Sequence, residues 1–144
     1  LSGASSIKTH AAITAREFGI NLTGASTAEV DFDNPQGRVA IDLTGASSLT
    51  LSGKSGSLDL ESSGASIFNG PIECHDADIE CSGTAKTTGI TAANANIESS
   101  GASDIKVICH KKLSVEASGS SRITYSGDCQ TDIRTSGIST ANKE

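Results

Sequence analysis

The chain has 144 residues, of which 35% are hydrophobic and 3% aromatic, with no Met and no Trp; a conventional layered core would lack large side chains. Fifteen glycines argue against long helical bundles, while 19% charged residues and a net charge of -6 fall short of a disordered polyelectrolyte. A pI near 5.0 with 11 basic residues argues against a basic stripe for nucleic acid, and no apolar run approaches the roughly 20 residues of a membrane helix.

Taken along the chain, one short unit recurs. It reads S-G-A-S at Ser2 to Ser5, T-G-A-S at Thr23 to Ser26 and at Thr44 to Ser47, and S-G-A-S at Ser63 to Ser66. Later copies, looser or shifted in spacing, follow from Ser82, Ser100, Ser118 and Ser136. The glycines Gly3, Gly24, Gly45, Gly64, Gly83, Gly101, Gly119 and Gly137 are spaced by 21, 21, 19, 19, 18, 18 and 18 residues. Periods of this size mark a solenoid, whose units are too small to bury a core singly and bury one by stacking.

Each glycine is flanked by strand patterns. Four residues before the last seven glycines stand Ile20, Ile41, Leu60, Ile79, Ile97, Val115 and Ile133. Four residues after the glycines stand Ile7, Ala28, Leu49, Phe68, Thr87, Ile105, Ile123 and Ala141, with a second alternating set at Val30, Leu51, Val107 and Tyr125. Period two on both sides predicts strands joined at a glycine corner. Equivalent residues then stack about 4.8 Å apart in ladders. The Ser and Thr beside each glycine are expected to bond to turn backbone and to neighbouring rungs rather than to form a functional hydroxyl array.

The expected fold is an all-β, right-handed parallel β-helix of about seven coils with 18 to 21 residues each, one domain over residues 1–144. A left-handed prism of hexapeptides is disfavoured, since stepping by six from Ile97 gives Ser103, Cys109 and Val115, and right-handed crossing is the rule for parallel strands. With no initiator Met and no signal peptide, the chain is expected to be a piece of a longer secreted protein. Open coil ends would expose unpaired backbone, so a homodimer through the coil ends is also expected.

The segment Phe18-Gly19-Ile20-Asn21-Leu22-Thr23-Gly24-Ala25-Ser26, with the recurring S-G-A-S units, resembles the auto-transporter adhesin head GIN domain family, and Gly19-Ile20-Asn21 spells the namesake. The resemblance spans essentially the whole chain. It implies a β-helix from a Bacteroides-like, Gram-negative bacterium, secreted, periplasmic or on the outer cell surface, with a role in adhesion to a surface ligand, glycan or protein. It supplies no catalytic residues.

Candidate chemistry centres on carboxylates. Three residues before the glycines run Asn21, Asp42, Glu61, Glu80, Glu98, Glu116 and Arg134, pointing outward; Glu61, Glu80, Glu98 and Glu116 should form an acidic ladder. Like charges opposed on neighbouring strands destabilise, so divalent cations or mild acid should stabilise the fold. Five residues before the glycines, Asp59, Asp78, Asn96 and Asp132 add oxygens, yet no segment matches a calcium loop, and no metal site or cofactor is expected. Paired carboxylates also fit a polysaccharide-binding or polysaccharide-degrading β-helix as an alternative. Against an enzyme, aromatic platforms are scarce and the bases Lys86, Lys106 and Arg122 are scattered. No catalytic residue is assigned.

Of the four cysteines, Cys81 takes the inward place of Leu22 and Leu43, and Cys109 with Cys129, in adjacent coils, is the candidate disulfide. Cys74 lies nearly two coils from Cys109, and the Cys74-His75 and Cys109-His110 pairs lack zinc spacing. His10 is expected at the surface and Arg16-Glu17 as an exposed ion pair. The segment Asp31 to Arg38, rich in turn residues, is expected to leave the regular coil.

Overall fold

The computed structural model describes residues 2–144. Ten strands follow one another: β1 (Ser6–Lys8), β2 (Glu17–Gly24), β3 (Thr27–Gly45), β4 (Ser48–Gly64), β5 (Ile67–Gly83), β6 (Lys86–Gly101), β7 (Asp104–Ala117), β8 (Arg122–Ser126), β9 (Gln130–Thr135) and β10 (Thr140–Lys143). No helix occurs among the described residues, and every named strand pair is parallel. The strands stack as a β-solenoid of about seven turns, one coil resting on the next.

The glycine spacing is the coil length. Gly24 stacks on Gly45, Gly45 on Gly64, and Gly83 on Gly101, all at positive φ. At Gly83, with φ 85°, an added Cβ would lie 2.8 Å from the Gly64 carbonyl oxygen. A corner of this handedness stacked this closely therefore takes glycine.

Inward ladders build the core. Ile20, Ile41, Leu60, Ile79, Ile97, Val115 and Ile133 are mutually in register, as are Ala28, Leu49, Phe68, Thr87, Ile105, Ile123 and Ala141. The second alternating set divides. Val30 stacks on Leu51, whereas Val107 and Tyr125 stack in another column with Phe32, Gly53, Ile72 and Ile90. Register shifts at Asn69/Ile72 and Thr87/Ile90, where coils shed residues, move the later chain by one ladder.

Serine replaces apolar volume at the corner, as expected. Ser26, Ser47, Ser66, Ser103 and Ser121 are buried two residues after the stacked glycines. Ser66 Oγ lies 2.9 Å from the Ser63 carbonyl and 3.3 Å from the Leu43 and Gly45 carbonyls of the coil beneath, and Ser26 and Ser47 repeat the pattern. The hydroxyls of Ser26, Ser47, Ser66 and Ser121 thus tie their own turn to its neighbour, whereas Ser103 Oγ is buried without a hydrogen-bond partner.

The turn-rich segment remains within β3, correcting the expected departure. A bulge between Asn34 and Arg38 absorbs its extra residues; Asn34 Nδ2 donates to the Ala15 carbonyl at 3.0 Å and Asn34 Oδ1 accepts from the Gln36 N–H at 3.1 Å. Phe18 stacks on Phe32 beside it, with centroids 5.9 Å apart.

Candidate functional site

One outward face of the solenoid concentrates the carboxylates. It is formed by the segment leading into each glycine corner, where alternate residues point away from the core. The first column is Asn21, Asp42, Glu61, Glu80, Glu98, Glu116 and Arg134, each paired in register with the next. The expected glutamate ladder is therefore present as a stack. The second column is Gly19, Ala40, Asp59, Asp78, Asn96, Ser114 and Asp132.

A third column was not among the expected site residues. It holds Glu17, Arg38, Ser57, Asp76, Asn94, Lys112 and Gln130. Its signal was in the sequence, since each member stands seven residues before a glycine of the repeat. It also corrects one ion pair. Glu17 stacks against Arg38 at the start of β2, and no ion pair joins it to Arg16, which lies in the bend before the strand.

Hydrogen bonding separates the columns. Asn21 Nδ2 donates to Asp42 at 3.0 Å, Asn94 Nδ2 to Asp76 at 2.8 Å and Asn96 Nδ2 to Asp78 at 2.8 Å, each from an adjoining coil. Arg38 Nε donates to Asp59 Oδ2 at 3.0 Å, and its guanidinium forms an ion pair there. Asp76 is held below the usual carboxylate range, first by the hydrogen bond to His75 and then by that from Asn94. By contrast, no hydrogen bond or ion pair joins Glu61, Glu80, Glu98 or Glu116 to another side chain among the described residues. Their carboxylates are left to solvent or to a ligand.

The three columns outline two adjoining open depressions of about 700 and 490 Å³, sharing Asp59, Asp78 and Asn96. Nothing aromatic lines either, and Lys112 brings a positive charge to the smaller one. The scattered bases lie elsewhere: Lys86 and Arg122 flank Asp104 in a different column, and Lys106 pairs with Glu144 at 2.8 Å. No cluster of three or more His, Cys, Asp or Glu is arranged to hold a metal ion among the described residues. No helix there is long and apolar enough to cross a membrane.

The cysteines divide by column. Cys81 is 1% exposed in the place of Leu22 and Leu43, where burial pushes its thiol up to about 11. Cys74 faces inward with Ala92 between it and Cys109, and burial pushes it up to about 12. His75 turns outward and bonds Asp76 at 2.9 Å, so Cys74 and His75 do not converge. Cys109 is fully buried, and Cys129 lies beside it with its thiol shifted upward by burial and by the Cys109 thiol. All four are free thiols. His10 is exposed.

Fold and face together define a parallel β-solenoid presenting an acidic, grooved, non-aromatic surface along successive coils. The chain belongs to the family described as "Putative auto-transporter adhesin, head GIN domain", whose model matches residues 1–88 and 68–129. The two matches overlap, as a chain of similar coils allows. No curated protein and no solved structure matches the chain.

Proposed function

We propose that this chain is a non-enzymatic binding scaffold at the bacterial surface, secreted or periplasmic, whose ligand, a glycan or a protein, lies along the acidic face. The observation that carries this reading is the register of Glu61, Glu80, Glu98 and Glu116, four carboxylates stacked on successive coils with no partner among the described side chains. Such an array meets an extended ligand at about 4.8 Å intervals and sums several weak contacts along it. The family description, an adhesin head domain, supports a surface role. Specificity would then come from the neighbouring columns, where Asn94, Asn96 and Ser114 offer hydrogen bonds and Lys112 a single positive charge.

Polysaccharide cleavage is the second reading, favoured by carboxylates at ladder spacing. Binding accounts for the face better. Arg38 is engaged by Asp59, and no aromatic ring offers a sugar a stacking platform in the groove. The test is a panel of bacterial and host polysaccharides and surface proteins, assayed for retention and for cleavage, with the wild-type chain and with Glu80→Gln/Glu98→Gln. Retention of a panel member at low salt that weakens at least several-fold in the double variant is the expected result. Turnover of any polysaccharide that Glu80→Gln abolishes overturns the non-enzymatic reading, and retention unaffected by the double variant removes the ligand from this face.

A further inference from the structure

We propose that Cys109 and Cys129 are a redox pair that closes into a disulfide, fastening the coil of β8 to β10 onto β7. The pairing follows from the stacking of the two coils. Gly127 sits directly over Cys109, so closely that a Cβ there would fall 2.1 Å from the Cys109 carbonyl oxygen. Three residues on, Gln130 is in register with Lys112. Cys129 therefore descends onto the corner between Cys109 and Lys112. The Cys109 side chain points to the same corner, its Sγ 3.1 Å from the Lys112 carbonyl and 3.4 Å from that of Ala93. The two thiols lie close enough for the Cys109 thiol to help raise that of Cys129.

The remaining thiols are placed to stay out of the reaction. Ala92 separates Cys74 from Cys109 in its column, and Cys81 lies in a different column with Ser99. Cys81 is in addition 1% exposed, out of reach of an external disulfide.

The structure also gives the staple something to hold. The strands beyond Cys109's coil are short, at 5, 6 and 4 residues in β8, β9 and β10, where β3 to β7 have 14 to 19. Their inward residues Tyr125, Ile133 and Ala141 are only partly buried, unlike Val107 and Val115 beneath them. Less buried apolar area means that this coil opens at lower cost than the middle of the solenoid.

The oxidant is another disulfide, either a small-molecule one or that of a thiol–disulfide oxidoreductase. The more accessible Cys129 thiolate attacks it, releasing one thiol and leaving a mixed disulfide. Cys109, fully buried but beside Cys129, then attacks the Cys129 sulfur and expels the second thiol. Two protons and two electrons leave the pair, and one external disulfide becomes two thiols.

The experiment equilibrates the whole chain in oxidised or reduced glutathione, traps free thiols by alkylation after denaturation, and maps linked peptides by mass spectrometry. The expected result is one internal bond joining Cys109 to Cys129, with Cys74 and Cys81 alkylated. For a closed loop of this size, oxidation is expected to raise the melting temperature by about 10 °C. Cys129→Ser is expected to melt alike in both buffers. Recovery of all four cysteines as alkylated thiols, a bond involving Cys74 or Cys81, or a mapped bond without a rise in melting temperature overturns the proposal. The wild-type comparison decides the matter even if the variant does not fold.

Discussion

Replacing Gly83 by alanine tests the stacked corner that organises the solenoid. The residue has φ 85°, a left-handed conformation that costs about 1–2 kcal/mol once a Cβ is present. The new methyl would also lie 2.8 Å from Gly64 O, 3.0 Å from Gly64 N and 3.3 Å from Gly64 Cα, all backbone of the coil beneath. That carbonyl accepts the Thr84 N–H at 2.8 Å, so moving it away from the methyl stretches an inter-coil hydrogen bond, at a further cost of about 1–2 kcal/mol. Gly83→Ala is therefore expected to lose about 2–4 kcal/mol, equivalent to a melting temperature about 7–13 °C lower for a chain of this length. Gly19→Ala is the matched control. Gly19 is not at positive φ and a Cβ there meets nothing within 4 Å, while its register partner is already Ala40, so the change is expected to be neutral or to stabilise by a few tenths of a kcal/mol. Thermal and denaturant unfolding, followed by circular dichroism, measure both. A loss below about 0.5 kcal/mol for Gly83→Ala, or the two variants melting together, refutes the reasoning.

Ser66→Ala removes a hydroxyl that reaches three carbonyls and is expected to cost about 1 kcal/mol in denaturant unfolding, whereas Ser103→Ala removes a buried hydroxyl without a partner and is expected to be neutral or stabilising; the reverse order would refute the structural role of this ladder. Glu80→Gln removes like charge from between Glu61 and Glu98 and is expected to stabilise by about 0.5 kcal/mol at low ionic strength, a gain that salt or calcium erases; equal melting of variant and wild type at low salt counts against repulsion in the ladder. Asp76, whose folded pKa is depressed, contributes stability above its unfolded pKa of about 3.9, and that contribution is lost as pH falls through the folded value. The melting difference between wild type and Asp76→Asn should accordingly be largest near neutral pH and close in acid, and a pH-independent difference would exclude the His75 and Asn94 bonds as its source.

Much of the architecture was legible because a solenoid repeats its constraints. Gly24, Gly45 and Gly64 occupy the same corner, so their spacing reports coil length directly, and a four-residue step back from each reaches the same inward ladder. The glutamate column was readable by the same step of three. What escaped was the third column with Arg38 and Lys112, which mixes charge signs and small polar residues and so carries no compositional signature on its own. The second apolar set was misaligned for a different reason. Counting forward from the glycine assumes a constant path, and the bulge beside Gly70 and Pro71 breaks that count. The segment Asp31 to Arg38 has strong turn chemistry, yet turn residues are equally suited to a corner bulge, and only the packing of Phe18 on Phe32 and the Asn34 bond to Ala15 distinguish the two. The Cys109 and Cys129 corner lay in the same uncertain stretch, between one glycine count and the next.

The bulges have a consequence for how this chain can vary. From Glu17, Arg38, Ser57, Asp76, Asn94, Lys112 and Gln130 the next repeat glycine is always seven residues on, although coil length falls from 21 to 18. The whole change in length is taken up between the residue four after each glycine and the start of the acidic segment, at the register shifts Asn34/Arg38, Asn69/Ile72, Thr87/Ile90 and Ala92/Asn94. One side of the solenoid thus behaves as a fixed ruler and the opposite side as slack. Insertions and deletions can accumulate on the slack side without displacing a single carboxylate along the ruler, so recognition and chain length are free to drift independently. Grafts of new sequence belong at those bulges, and a one-residue insertion between Asp76 and Gly83 would instead turn every following side chain of that segment inside out.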